Sequence, residues 1–158
     1  METEFELDAV DRRILAAMQQ QGRATFDELA SAVGLSASAT LRRVKRLEEA
    51  GVIAGYAAQV VPERVGLGLT AYINVRLAKG GGGGNPTEDF AAAVQAWPEV
   101  AECSALSGEM DLLLLVRVRD MAHYSRFVMD TLLRHAAVQD CKTSFLMRRL
   151  KGTTGVPL

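Results

Sequence analysis

Four cations fall within five positions of the stretch "ATLRRVKRLEEAG", residues 39–51: Arg42, Arg43, Lys45 and Arg46. Charge at this density on a short segment suits either a solvated helix surface or a grip on phosphates, and the residue types alone leave both open. The chain as a whole offers no excess of positive charge. Its formal net charge is −1 and its pI about 6.1, and residues 1–60 hold seven basic against nine acidic side chains. A nucleic-acid footprint must therefore come from the placement of these groups rather than from totals.

A second stretch with chemistry in it is "SGEMD", residues 107–111. Read locally, it is a β-turn in which Gly108 supplies a positive φ and Asp111 hydrogen-bonds its neighbours. Read as a site, it suits a free amino acid. An ammonium pairs with a carboxylate such as Glu109 or Asp111, and a carboxylate is met by the backbone N–H groups of a glycine turn.

The other reactive residue types form no comparable constellation. Cys103 and Cys141 lie far apart in apolar, strand-like segments without CxxC spacing and read as buried free thiols. His123 and His135 lie in a helical stretch with no pattern for a metal or a catalytic triad, and neither GxSxG nor a dinucleotide fingerprint occurs. The run "KGGGGGNP", residues 79–86, lacks the Lys-Ser or Lys-Thr of a phosphate-binding loop and reads as a flexible connection. No enzyme, cofactor or metal is expected. No apolar stretch reaches the roughly 20 residues of a membrane helix, and the acidic start "METEFELDAVDRR" is unlike a signal peptide, so the expected location is the cytoplasm, with no membrane partner.

The elements that would position the cations are legible. On a helix turning about 100° per residue, Leu41, Val44 and Leu47 share one sector, and Arg42, Arg43, Lys45 and Arg46 fill the opposite one. Ser36 is a good N-cap for this helix, Gly34 can end the one before it, and Gly51 stops it. Upstream, "DAVDRRILAAMQQ" aligns Val10, Ile14 and Met18 behind a capping Asp8. "TFDELASAVG" opens with the capping-box spacing of Thr25 and Glu28. Three short amphipathic helices, the last two joined by a brief glycine-containing turn, are the pattern of a helix-turn-helix that meets double-stranded DNA. In that arrangement the small residues Ser36, Ser38, Ala39 and Thr40 bring the helix tip to base edges, and Arg42, Arg43, Lys45 and Arg46 reach phosphates or guanine.

The second half has a different period. "LTAYINVRL", residues 69–77, alternates as a half-buried strand, and "PTEDFAAAVQAWP" carries Phe90, Val94 and Trp97 at helical spacing. Two strand-like runs, "VAECSAL" and "DLLLLVRV", flank the SGEM turn. The helical "MAHYSRFVMDTLLRH" and the strand "VQDCKTSFLMRRL" complete the order βαββαβ, a ferredoxin-like unit. Such a sheet has helices on one face only, and "LLLLV", residues 112–116, suggests apolar side chains on both, so pairing of two chains through the sheet is expected. "VIAGYAAQVV", residues 52–61, has strand character and Pro62 breaks it, giving a strand and then a hinge.

Four stretches, "LDAVDRRILAAMQQQGR", "TFDELASAVGLSASATLRRVKRLEEAGVIAGYAAQVVPERVGL", "SGEMDLLLLVRVRDMAHY" and "TSFLMRRLKGTTGVPL", resemble the Lrp/AsnC family of bacterial and archaeal transcription regulators over nearly the whole chain. "GVIxGY" after the helix-turn-helix, with "SGxxD" later, is far more specific than either alone. The resemblance implies an effector site at a subunit interface, formed by the turn, the start of the following helix and the last strand. By position these are Gly108, Glu109, Met110, Asp111, Met121, Thr143 and Ser144. It also implies dimers that assemble further, with an octamer favoured.

The expected α+β architecture is a helix-turn-helix (winged-helix-like) domain over residues 1–52, a strand and hinge over 53–66, and a ferredoxin-like effector-binding and oligomerisation domain over 67–158. The expected function is a sequence-specific regulator answering to an amino acid. Its rivals are a ferredoxin-like enzyme or small-molecule binder whose first helices serve protein contacts, and an architectural DNA binder without effector.

Overall fold

The computed structural model describes residues 5–78, 85–152 and 155–158; most of the glycine-rich connection lies outside them. The chain divides into two units, Met1–Ala58 with Lys151–Leu158, and Gln59–Leu150.

The first unit holds helices α1 (Ala9–Gln20), α2 (Phe26–Val33) and α3 (Ala37–Glu49). Each begins where a short polar side chain satisfies free backbone N–H groups. Asp8 accepts from the Val10 and Asp11 amides while the Asp11 carboxylate accepts from the Asp8 amide; Thr25 and Glu28 do the same for α2, and Ser36 caps α3. Gly34, at φ 72°, ends α2 in a left-handed conformation that a residue with a Cβ adopts only at a cost. Ile14, Val33 and Val44 form the core, with Val10, Met18, Leu35 and Ile53 packed around it. The last described residues return to α1: the Gln19 amide donates to the Val156 carbonyl at 3.2 Å and accepts from the Val156 amide at 2.6 Å.

Residues 54–61 form no strand, where one was expected. Their β-character is real, but a strand needs a ladder and none of the described residues supplies one. Pro62 then opens a short 3₁₀ turn, Pro62–Val65.

The second unit is a four-stranded antiparallel sheet in the order β2-β3-β1-β4, formed by β1 (Leu69–Leu77), β2 (Val100–Ala105), β3 (Leu112–Val118) and β4 (Val138–Phe145). The helices are α4 (Pro86–Val94) and α5 (Met121–Arg126); α5 runs on as a π-helical stretch, Phe127–Leu132, where a plain α-helix was expected. The core lies between helices and sheet: Ala71, Ile73 and Val75 of β1 and Leu114, Val116 and Val118 of β3 pack with Phe90, Phe127 and Leu132. Trp97, beyond the end of α4, meets Phe90 and Phe127 edge-on at 5.3 and 5.8 Å between ring centroids. The four leucines divide between the two faces of the sheet: Leu112 and Leu114 are buried, while Leu113 and Leu115 lie half-buried on the face without helices. Cys103 and Cys141 are half-buried rather than buried, and loss of solvent raises both thiol pKa values.

Candidate functional site

Helix α3 shows two distinct polar surfaces. Arg42 and Lys45 are exposed and form no ion pair among the described residues, and Ser38 lies beside them on the same sector. Arg43 and Arg46 turn towards the start of α1. Arg43 donates to Asp8 at 2.7 Å and to Asp11 at 2.8 Å, and Arg46 donates to the other oxygen of Asp11. Asp11 is fully buried, so its charge is tolerable only because it is paired. Hydrogen bonds from the Asp11 amide and from Arg43 hold the Asp8 carboxyl at about 2, and its two carboxylate partners raise Arg43 further above its usual value.

The tip of α3 also sorts its residues. Ser36 and Ser38 are exposed, their hydroxyls 3.2 Å apart, with Ser36 also capping the Ala39 amide; Ala39 is partly exposed. Thr40, expected at the tip, is fully buried and donates its hydroxyl to the Ser36 carbonyl at 3.0 Å. It stands one turn before Val44 and two before Leu47, on the stripe that faces the core.

At the end of the sheet where β3 begins, the turn predicted from SGEMD is present, with Gly108 at φ 146°. Asp111 works on three sides of it. Its amide donates to the Val75 carbonyl at 3.0 Å, its carbonyl accepts from Leu106 at 2.8 Å, and its carboxylate accepts from the Leu77 amide at 2.7 Å. Beside it lies a cavity of about 590 Å³ lined by Arg76, Leu77, Ala78, Glu109, Asp111 and Gln139. Glu109 accepts from Lys142 and from Arg76, each at 3.0 Å, and these cations, Lys142 first, hold its carboxyl below the usual range. Arg76 Nε is buried without a hydrogen bond among the described residues; Asp140 at 3.9 Å is near enough for charge attraction but too far to accept. The cavity thus presents both signs of charge.

Met110 is buried under the turn, its sulfur accepting from the cavity's Arg76 at 3.7 Å. Met121, Thr143 and Ser144, also carried over by resemblance, do not gather at this cavity. Thr143 lies on the helix-covered face, accepting from the Tyr124 hydroxyl at 2.7 Å, and Ser144 pairs with Tyr72 in mid-sheet. Met121 is exposed beyond the far end of β3, roughly 20 Å of strand away. Both histidines have structural surroundings: His123 bonds Glu99 at 2.9 Å, and His135 packs edge-on against Phe90.

Residues 7–48 match the AsnC-type helix-turn-helix domain, and residues 70–156 match the Lrp/AsnC ligand binding domain. The chain belongs to the Lrp/AsnC family. It is 42% identical over 149 residues to the leucine-responsive regulatory protein of Haemophilus influenzae, covering 93% of this chain and 87% of that protein. To the leucine-responsive regulatory protein of Escherichia coli it is 39% identical over 146 residues, covering 92% and 88%. Its fold matches a transcriptional regulator from Neisseria meningitidis in complex with L-Met, at 48% identity and a TM-score of 0.91 over 96% of this chain and 97% of the other. An AsnC family regulator from Agrobacterium tumefaciens matches at 32% identity and a TM-score of 0.86, over 96% and 97%. As a family member the chain is a transcriptional regulator that joins a DNA-binding helix-turn-helix to an amino-acid-responsive domain.

Within this Lrp/AsnC chain, four cavity residues escaped the sequence argument: Arg76, Leu77, Ala78 and Gln139. Arg76 carried a usable signal. It is a charged residue on the outward phase of an alternating strand, and antiparallel pairing of β1 with β3 brings the end of β1 to the SGEMD turn. Gln139 depends on the register of β4, which its sequence does not announce.

Proposed function

We propose that this regulator binds duplex DNA through the exposed tip and outward face of α3, with Ser36, Ser38 and Ala39 at base edges and Arg42 and Lys45 on phosphates. In this reading it answers to an amino acid held at the cavity beside Asp111. The observation that carries the reading is the cavity's mixed charge, Arg76 against Glu109 and Asp111, in a chain 48% identical to a regulator bound to L-Met. An amino acid is a zwitterion and needs both signs.

The chain acts as a homo-oligomer in the cytoplasm, a dimer at least, with an octamer favoured, and has no enzymatic activity. Tyr72, Leu113 and Leu115 on the face of the sheet without helices support association. So does the separation of Met121, Thr143 and Ser144 from the turn, since a second chain can bring such positions together at one effector site. A thermal-shift screen against the twenty amino acids, L-methionine and L-leucine first, tests the effector. A ligand at 100 times its Kd stabilises the native state by about 2.7 kcal/mol, and no shift with any amino acid would remove the effector from the account.

A further inference from the structure

We propose that Asp11 is the positioning residue of the recognition helix: its buried carboxylate holds Arg43 and Arg46, takes both out of phosphate contact, and leaves Arg42 and Lys45 as the cations of α3 that meet the DNA backbone. This inference rests on the DNA reading above and divides the basic run into two jobs.

Asp11 has no exposed surface, and both of its oxygens are occupied: one by Arg43 at 2.8 Å, the other by Arg46 and by the Asp8 amide at 3.3 Å. Arg43 makes a second bond, to Asp8 at 2.7 Å. Arg46 also lies over the Phe5 ring, 5.1 Å from its centroid. Two carboxylates and two guanidiniums sum to zero, so a phosphate approaching this side of α3 meets a neutral cluster. A phosphate that drew Arg43 and Arg46 away would strand Asp11 buried and unpaired, which makes the exchange unfavourable. Arg42 and Lys45 carry no such debt.

The same contacts fix direction. A guanidinium donates within its own plane, and two of them on successive turns of α3 converge on one carboxylate of α1. Rotation of α3 about its axis would break both contacts, so the lock adds to the buried stripe of Thr40, Val44 and Leu47 in fixing which residues of α3 face outward. Ser38, Arg42, Lys45 and Glu49 are exposed on this sector, and Arg46 borders it, about half exposed but tied to Asp11.

The test is the salt dependence of binding to a mixed-sequence duplex, measured by fluorescence anisotropy with the full chain. Each phosphate contact contributes about 0.9 to the slope of log K against log salt. Arg42→Gln and Lys45→Gln should each lower the slope by about that amount, whereas Arg46→Gln should lower it by less than half as much. Asp11→Asn, which keeps the shape but not the charge, frees Arg46 while Asp8 still holds Arg43 at 2.7 Å, and should raise the slope by up to about 0.9. A merely structural Asp11 would lower the melting temperature and leave the slope alone, and that result overturns the proposal. Equal losses at Arg46 and Arg42 overturn it too, and this comparison decides the matter if Asp11→Asn does not fold. If wild type binds without any salt dependence, the DNA reading falls and this inference with it; if wild type has a normal slope but the variants behave otherwise, only the inference falls.

Discussion

Replacing Asp111 by asparagine separates two tasks that its carboxylate combines. One oxygen accepts from the buried Leu77 amide at 2.7 Å, and the group also lines the cavity proposed for the effector. Asparagine retains an acceptor for Leu77, so the turn should survive with a stability change of less than about 1 kcal/mol, the net size of an ordinary hydrogen bond. The negative charge opposite the ligand's ammonium is lost. A hydrogen bond to a charged group is worth roughly 1.5 to 3 kcal/mol, which converts to about 10- to 150-fold in affinity. Asp111→Ala loses both tasks: the same affinity falls, and stability drops because the Leu77 N–H is left without its acceptor. Isothermal calorimetry with the amino acid found by the thermal-shift screen, alongside thermal unfolding, measures the two effects separately. Asparagine-substituted protein that binds with wild-type affinity would show that Asp111 shapes the turn and does not recognise the ligand.

Thr40→Val should cost about 1 kcal/mol of stability through loss of the bond to the Ser36 carbonyl, with unchanged preference among DNA sites, because Thr40 is fully buried; melting and gel-shift selection on the same variant check this. Phe90→Ala should destabilise the second unit by about 3 to 5 kcal/mol, read as an earlier urea transition, since Phe90 is fully buried and packs edge-on with Trp97. The Asp8 carboxyl, lowered from 3.8 to about 2, stabilises the first unit above pH 3.8 and loses that effect as pH falls towards 2; an acid titration of wild type should show this loss, and Asp8→Asn should remove its contribution.

Local chemistry was the most legible. The Asp8 cap, the Thr25–Glu28 capping box and the left-handed Gly34 need only residues within a few positions of one another. Alternation placed β1, and the continuous leucines of β3 correctly implied apolar groups on both faces. What the local pattern could not show was long-range. A helical wheel gives Arg43 and Arg46 an outward sector, but cannot show that the start of α1 lies against them with a buried carboxylate. Thr40 was misplaced by its residue type, although its spacing from Val44 and Leu47 put it on the inner stripe. Residues 54–61 look like a strand, yet the partner that would make them one is not in the sequence pattern. The π-helical stretch after Arg126 has no periodicity to distinguish it from an α-helix.

The central claim, a DNA grip that an amino acid controls, is tested most directly by anisotropy on a duplex selected by this protein from a random-sequence pool, titrated with and without the screened amino acid. Preference for the selected duplex over a scrambled one should reach at least about 10³-fold, and the amino acid should move the affinity by about 5- to 150-fold. Equal binding to both duplexes, or an affinity indifferent to all twenty amino acids, would contradict it.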